Sequence, residues 1–269
     1  SMSDSVDPRA LLAQIKDLAR EAGARILEIY DTDFDVESKA DNSPLTAADM
    51  ASHTAIVNGL RALTPEIPVL SEESADIPYD ERCQWDWYWL IDPLDGTKEF
   101  IKRNGEFTVN IALIHDGRPV LGVVYVPVKE WMYTGCEGEG ATKQVGDGPV
   151  ESIHVRPLGD GPVRVVGSRS HGGDSLEAML HKLGEHEIVS MGSSLKLCLV
   201  AEGEADIYPR LGPTSEWDTA AAQCVVEQAG GKVTDLEMRE LRYNQKESVL
   251  NPFFLVIADD SRDWSQYLE

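Results

Sequence analysis

Residues 89–97 read WLIDPLDGT, an apolar run that leads into two carboxylates and a hydroxyl. Residues 85–91 are mostly aromatic or β-branched, which predicts a buried strand. The proline and the glycine of the segment interrupt regular structure. We therefore expect Asp92, Asp95 and Thr97 to lie on a tight turn at the end of this strand.

Asp92 and Asp95 are crowded at the end of an apolar strand, where carboxylates repel each other and lose hydration. Buried charges must be paired or coordinated, and a divalent cation with oxygen ligands meets that need. The alternative is an Asp-rich turn whose side chains bond only to the local backbone. Other acidic motifs in the chain favour the cation.

Glu72 and Glu73 follow a short predicted strand at residues 68–70. If that strand neighbours the one that ends at Asp92, one of the two glutamates converges with both aspartates. The alternative is a solvated acidic loop, because Glu side chains usually lie at the surface.

Two further aspartates lie near predicted helix starts. Asp218 belongs to the run EWDTAA at 216–221, where a capping or first-turn role is the alternative to metal binding and is compatible with it. Asp49 follows Thr46 by three residues, which resembles a capping box. Taken alone, the pattern around Asp49 favours the capping role.

The chain has 269 residues and a formal net charge of −23, from 24 basic and 47 acidic residues. Its length and its 42% hydrophobic content predict a globular protein with one large domain or two fused halves. The acidity disfavours nucleic-acid binding, which needs a basic surface. If the substrate is an anion, a local positive site must overcome the field of the whole chain.

The pattern of predicted elements changes near residue 145. We expect residues 1–145 to form an N-terminal α+β half with most metal ligands, and residues 146–269 to form a C-terminal α/β half. We see no signal peptide and no apolar run of the ~18 residues that a membrane helix needs. Cys83, Cys136, Cys198 and Cys224 form no CxxC pair, so we expect a reducing cytoplasm and no zinc site.

Two familiar phosphate chemistries are excluded. The sequence contains no GxxxxGK[ST] loop, which excludes a P-loop enzyme. Enzymes that form an aspartyl phosphate carry two Asp residues two positions apart before Gly-Thr. Asp92 and Asp95 are three positions apart, which argues against a phosphorylated aspartate.

Three motifs occur in order along the chain, namely SEE at 71–73, DPLDGT at 92–97 and EWDTAA at 216–221. Together they resemble the signatures of the inositol monophosphatase superfamily. Further runs are similar to the bacterial 3'(2'),5'-bisphosphate nucleotidases of that superfamily, at 38–44, 98–107, 167–171 and 208–214. The resemblance extends from near the N-terminus to Pro252.

The resemblance implies a layered αβαβα sandwich, combining α+β and α/β parts. It implies hydrolysis of adenosine 3',5'-bisphosphate to AMP and phosphate with two or more Mg²⁺ ions, in sulfur assimilation or nucleotide turnover. The implied metal ligands are Glu72, Asp92, the Leu94 carbonyl, Asp95 and Asp218. The implied proton-accepting pair is Asp49 and Thr97. The implied substrate contacts are Leu94, Asp95, Gly96, Thr97, His171, Ser193, Lys196, Arg210 and Asp218.

The chemistry of these residues is consistent with that activity. Two Mg²⁺ ions about 3.5–4 Å apart can activate a water for direct attack and stabilise the leaving oxygen, so no protein nucleophile is needed. Asp49 would accept a proton from Thr97 and orient its hydroxyl toward the water, which weakens the capping interpretation. Lys196 and Arg210 suit an anionic substrate, although ordinary surface cations are the alternative.

Two other functions stay open from the sequence. An inositol-phosphate or sugar-phosphate phosphatase would share the metal ligands but have another substrate pocket. A non-catalytic nucleotide-binding sensor would keep the fold, but the intact Asp49, Thr97 and acidic residues disfavour it. We expect a small nucleotide bisphosphate as partner, no nucleic acid and no obligate protein partner, and peripheral association with the inner membrane face stays open.

Overall fold

The computed structural model describes residues 6–32, 43–167 and 173–269, which contain two sheets and the helices packed on them. The helices are α1 (Pro8–Tyr30), α2 (Pro44–Leu63), α3 (Tyr79–Arg82), α4 (Thr97–Lys102), α5 (Gly173–Leu183), α6 (Leu195–Ala201) and α7 (Glu216–Gln228). The strands are β1 (Val69–Ser71), β2 (Trp87–Asp95), β3 (Thr108–His115), β4 (Arg118–Val126), β5 (Trp131–Cys136), β6 (Gly140–Val145), β7 (Glu151–Ser152), β8 (Val163–Gly167), β9 (His186–Ser190), β10 (Ile207–Arg210), β11 (Lys232–Asp235) and β12 (Phe254–Ile257).

The seven strands β1 to β7 form the first sheet in sequence order. β1 pairs with β2 in parallel, and the later neighbours are antiparallel. Both faces of this sheet are covered: Trp89 and Ile91 pack in one core, while Tyr88 and Leu90 pack in another. Burial on both faces explains why the strand that ends at Asp92 is continuously apolar rather than alternating.

The layers follow from the three core clusters. α1 and α2 cover the outer face of the first sheet, and α6 and α7 lie between that sheet and the second one. The second sheet has the order β11-β12-β10-β8-β9, and α5 and the short helix at Trp264–Tyr267 cover its other face. This arrangement confirms the predicted αβαβα sandwich. The division into halves at residue 145 stays a prediction; the first sheet extends to Ser152.

The capping-box interpretation of Thr46 and Asp49 is wrong, because the helix begins earlier than that pattern requires. α2 begins at Pro44 and its cap is Ser43, whose hydroxyl accepts a hydrogen bond from the Thr46 amide (3.2 Å). Asp49 therefore lies beyond the first turn and does not cap the helix. Within the described part of the chain, no helix combines the length and the apolar character needed to cross a membrane.

The glycine-rich stretch from 135 to 148 contains β6, which pairs antiparallel with β5 in the first sheet. Gly135 on β5 pairs with Gly122 on β4, and the two glycines form a groove under α7. A Cβ at Gly135 would lie 2.6 Å from the backbone carbonyl carbon of Cys224, and one at Gly122 would collide with the carbonyl of Ala221. Backbone approaches this close are open only to glycine.

Replacement of Gly135 by alanine tests the groove. We expect Gly135→Ala to lower the free energy of unfolding by about 1–3 kcal/mol, because the new methyl group meets helix backbone that cannot move aside locally. Urea unfolding measures the difference.

Gly159→Ala is the matched control, since a Cβ at Gly159 meets nothing within 4 Å. Its stability should stay within about 0.5 kcal/mol of the parent. Equal stability of Gly135→Ala and the parent would show that α7 does not depend on the glycine pair.

Candidate active site

A bulge in β2 places Asp92 and Asp95 on one face of the first sheet. Asp92 pairs with Asn110 and Asp95 pairs with Thr108, so three steps along β2 match two steps along β3. Side chains alternate between faces in a regular strand, so residues three apart would point to opposite faces. The extra residue in β2 restores the common face.

The expected tight turn at Asp92, Asp95 and Thr97 is wrong in detail. β2 continues through Pro93 to Asp95, because Pro93 lies in the bulge, where no ladder hydrogen bond is needed. Gly96 then takes the left-handed conformation (φ 93°), and Thr97 begins α4.

β1 places Glu72 beside this pair. β1 lies parallel to β2 with Ser71 opposite Ile91, so both strands end at the same edge of the sheet. Glu72 follows in a short helical turn, and its charge is among the causes that raise the pKa of Asp92. The two strands are therefore neighbours, which is the condition that the sequence set for Glu72 to converge with both aspartates.

Asp218 comes from the first turn of α7. Its Oδ2 accepts a hydrogen bond from the Ser215 amide (2.8 Å), so the side chain does take part in capping. It also faces the aspartates of β2: oxygens of Asp92, Asp95 and Asp218 all lie within 4.8 Å of one another. Capping and a place in the acidic cluster are therefore compatible in Asp218, and its role as a metal ligand stays a prediction.

The electrostatics of the cluster favour a cation. Burial, together with the charges of Asp95 and Glu72, raises the pKa of Asp92 well above its usual range. Burial and the Asp218 charge raise the pKa of Asp95 to about 8, and burial raises the pKa of Glu72. Carboxylates that repel each other in this way are stabilised by a bound cation, and an all-oxygen donor set suits a hard divalent ion.

Asp49 approaches the cluster from α2. It is buried, and burial with the charges of Glu73 and Glu72 raises its pKa to about 8. Its Oδ1 has no hydrogen-bond partner among the residues that the structure describes. Thr97 is exposed at the start of α4, so the pairing of Asp49 with Thr97 stays a prediction.

A cavity of about 420 Å³ opens beside the carboxylates, and Asp95 forms part of its wall. Its lining is mostly polar and includes four cations. The lining residues include Asp95, Gly96, Thr97, Lys98, Lys102, Ser193, Lys196, Tyr208 and Arg210. Of the predicted substrate contacts, Leu94 is buried in the bulge behind this wall, Asp218 lines an adjoining cavity, and His171 lies outside the described residues.

The cations differ in their surroundings. The ammonium of Lys196 lies 5.4 Å from the centre of the Tyr208 ring, and its charge lowers the pKa of Asp95 against the dominant effect of burial. Arg210 donates from Nη2 to the Pro213 carbonyl (3.3 Å), while its buried Nε has no partner within the described ranges. A buried guanidinium N–H without an acceptor is a candidate donor for a ligand.

Sequence reasoning missed the polar residues behind Asp95. Thr108 and Asn110 lie on β3 directly opposite Asp95 and Asp92, and both are buried. The amide of Ser194 donates to Asp95 Oδ2 (2.7 Å). The available signal was the placement of two polar residues two positions apart in an otherwise apolar strand.

The family model described as the inositol monophosphatase family matches residues 7–262. The 3'(2'),5'-bisphosphate nucleotidase CysQ of Escherichia coli K12 is 55% identical over 249 residues, which is 91% of this chain and 99% of that protein. CysQ of Haemophilus influenzae is 38% identical over 255 residues, which is 94% of this chain and 95% of that protein.

The structure is also similar to solved structures of this family. CysQ from Bacteroides thetaiotaomicron, with 46% sequence identity, superposes with a TM-score of 0.85 over 95% of this chain and 98% of that one. An inositol monophosphatase from Zymomonas mobilis, with 25% identity, has a TM-score of 0.77 over 94% of each chain. The acidic cluster fits the metal dependence of these phosphatases. The chain belongs to the inositol monophosphatase family, as its three motifs had predicted.

Proposed function

We propose that this protein is a Mg²⁺-dependent phosphatase that hydrolyses adenosine 3',5'-bisphosphate to AMP and phosphate. The main observation behind the proposal is that Asp95 belongs both to the carboxylate cluster and to the wall of the cationic cavity. The relatives that are 55% identical over nearly their whole length are 3'(2'),5'-bisphosphate nucleotidases, which favours a nucleotide over an inositol ester.

The proposed metal ligands are Glu72, Asp92, the Leu94 carbonyl, Asp95 and Asp218. The all-oxygen set suits Mg²⁺ better than zinc, which prefers nitrogen and sulfur donors. When bound, two or more Mg²⁺ ions would supply Lewis-acid activation and charge neutralisation at the phosphate that is cleaved. The protein contributes the rigid carboxylate geometry, set by β1, β2 and the start of α7.

The cavity gives an anionic substrate a local positive surface in an acidic protein. Lys98, Lys102, Lys196 and Arg210 line it, although the whole chain carries a formal charge of −23. A second phosphate on the substrate would accept a hydrogen bond from the unpaired Nε–H of Arg210 and form ion pairs with the nearby lysine ammonium groups. A nucleotide with two phosphates thus uses cations that a simple monophosphate would leave unpaired.

The proposed proton-accepting pair is Thr97 and Asp49. The Thr97 hydroxyl lies at the cavity wall, where it can accept a hydrogen bond from the attacking water. Asp49 is buried beside the cluster with one free oxygen, which makes it a suitable acceptor for the threonine proton. This pair orients the water and leaves no need for a covalent protein intermediate.

The described cysteines are free thiols, three of them buried, which supports the proposed location in a reducing cytoplasm.

A comparison of substrates tests the function directly. With Mg²⁺ present, we expect phosphate release from adenosine 3',5'-bisphosphate to have a much higher kcat/KM than release from inositol 1-phosphate, and removal of Mg²⁺ with a chelator should stop both reactions. A strong preference for the inositol ester would reject the nucleotide assignment. Nucleotide binding without phosphate release would instead identify a sensor.

Replacement of Asp95 tests the metal assignment. Asp95→Asn should lower kcat/KM by more than about 100-fold, because loss of groups that merely support metal ligands already costs 10–100-fold. The metal-free variant should melt at or above the temperature of the parent, since the amide removes one of several repelling charges. Steady-state kinetics and thermal unfolding measure both effects. Asp160→Asn, at an exposed loop position, is the control that should change neither.

Replacement of Thr97 tests its hydroxyl. Thr97→Val should lower kcat by about 100-fold or more, the range for a positioned proton acceptor, with little change in melting temperature because Thr97 is exposed. Thr97→Ser, which keeps the hydroxyl, should retain most of the activity. If the valine variant is as active as the serine variant, the hydroxyl has no part in the reaction.

A further inference from the structure

We infer that Thr108, Asn110 and Ser194 act as positioning residues: they form a closed ring of hydrogen bonds that holds the Ser194 amide on Asp95 and so sets the affinity of the site for its divalent cation. The inference rests on the proposed function in one respect, which is that Asp95 is a metal ligand. None of the three residues belongs to the proposed ligands or substrate contacts.

The ring closes with one consistent direction of donors. The Ser194 hydroxyl donates to Asn110 Oδ1 (2.8 Å), and Asn110 Nδ2 donates to the Thr108 hydroxyl (2.9 Å). Because the Ser194 proton is already used, the Thr108 hydroxyl donates to Ser194 Oγ (2.8 Å). Rings of this kind polarise and strengthen their own hydrogen bonds in a buried setting.

All three residues lie in the interior, with 0%, 1% and 2% of Thr108, Asn110 and Ser194 exposed. An unpaired hydroxyl or amide at such a position costs free energy, so the three side chains are held in the orientation that satisfies all their hydrogen bonds. Thr108 and Asn110 belong to the first sheet, whereas Ser194 directly precedes α6 in the middle layer. The ring therefore joins the sheet to the segment that follows the second sheet's edge strand β9.

The ring reaches the proposed metal site through the backbone amide of Ser194. The Ser194 amide donates to Asp95 Oδ2 at 2.7 Å, which restrains the orientation of the carboxylate. Thr108 lies opposite Asp95 in the β-ladder, so the ring and the ligand share one face of the sheet. Partners that orient metal ligands in this way commonly decide metal affinity.

Glu106 makes hydrogen bonds with the two residues that precede Ser194. The Gly192 amide donates to Glu106 Oε1 (3.0 Å), and the Ser193 hydroxyl donates to the Glu106 carbonyl (2.5 Å). Ser193 is kept in the left-handed region (φ 56°), a conformation that needs such support in a residue with a side chain. Residues 192–194 are thus tied at both ends, and Ser193 lines the substrate cavity.

Thr108→Val is the decisive variant, because valine keeps the shape of threonine and removes only the hydroxyl. We expect the dissociation constant of Mg²⁺, measured by isothermal titration calorimetry without substrate, to rise about 10-fold or more. The Mg²⁺ concentration that half-saturates phosphate release should rise in parallel, while kcat at saturating Mg²⁺ changes much less. Thr108→Ser restores the hydroxyl and should restore the affinity.

Thr134→Val is the matched control. Thr134 is a buried threonine two strands away on β5, and its hydroxyl bonds with the Thr142 hydroxyl. Both valine variants should lose similar stability, but only Thr108→Val should bind Mg²⁺ more weakly. An unchanged Mg²⁺ affinity in folded Thr108→Val would overturn the inference.

Ser194→Ala makes the same comparison if Thr108→Val does not fold, since it keeps the amide and removes a ring donor. Parent-like Mg²⁺ affinity in Ser194→Ala would then overturn the inference. Mg²⁺ binding is measured without substrate, so the result can be interpreted even if the parent releases no phosphate. Failure of the proposed function and failure of the positioning role are therefore distinguishable.

Discussion

The carboxylate cluster exists because β2 has one residue more than β3 between Asp92 and Asp95. In an unbroken ladder the two side chains would point to opposite faces, one toward α1 and α2 and the other toward the middle layer. The bulge turns both toward the middle layer, where α7 brings Asp218 to within 4.8 Å. The resulting repulsion between carboxylates destabilises the metal-free fold, and a bound cation would relieve it.

The position of α7 is set by the surface of the first sheet on which it packs. Gly122 and Gly135 remove the side chains that would hold the helix away from β4 and β5. Asp218 accepts a hydrogen bond from the Ser215 amide of its own helix and also lies close to Asp92 and Asp95. A capping group is well suited to this double role, because the helix N-terminus holds the carboxylate in one orientation.

The charge of the whole chain and the charge around the cavity have opposite signs. The chain as a whole is strongly acidic, yet the cavity beside the carboxylates is lined by Lys98, Lys102, Lys196 and Arg210. Because salt screens exposed charges beyond about 10 Å, the nearest cations and a bound metal would dominate the electrostatic potential at the phosphate of the proposed substrate. The global acidity therefore does not conflict with an anionic substrate.

The sequence by itself determined the buried strand before Asp92 and, through three motifs, the family and its layered fold class. It could not place the start of α2, because Ser43 and Thr46 are both acceptable caps, or the path through Pro93, because a proline is compatible with a turn and with a bulge. Only the tertiary structure decided that Thr108, Asn110 and Ser194 meet behind Asp95. Residue patterns along a chain report periodicity and local propensity, whereas contacts between β3 and a segment more than 80 positions later depend on how the layers pack.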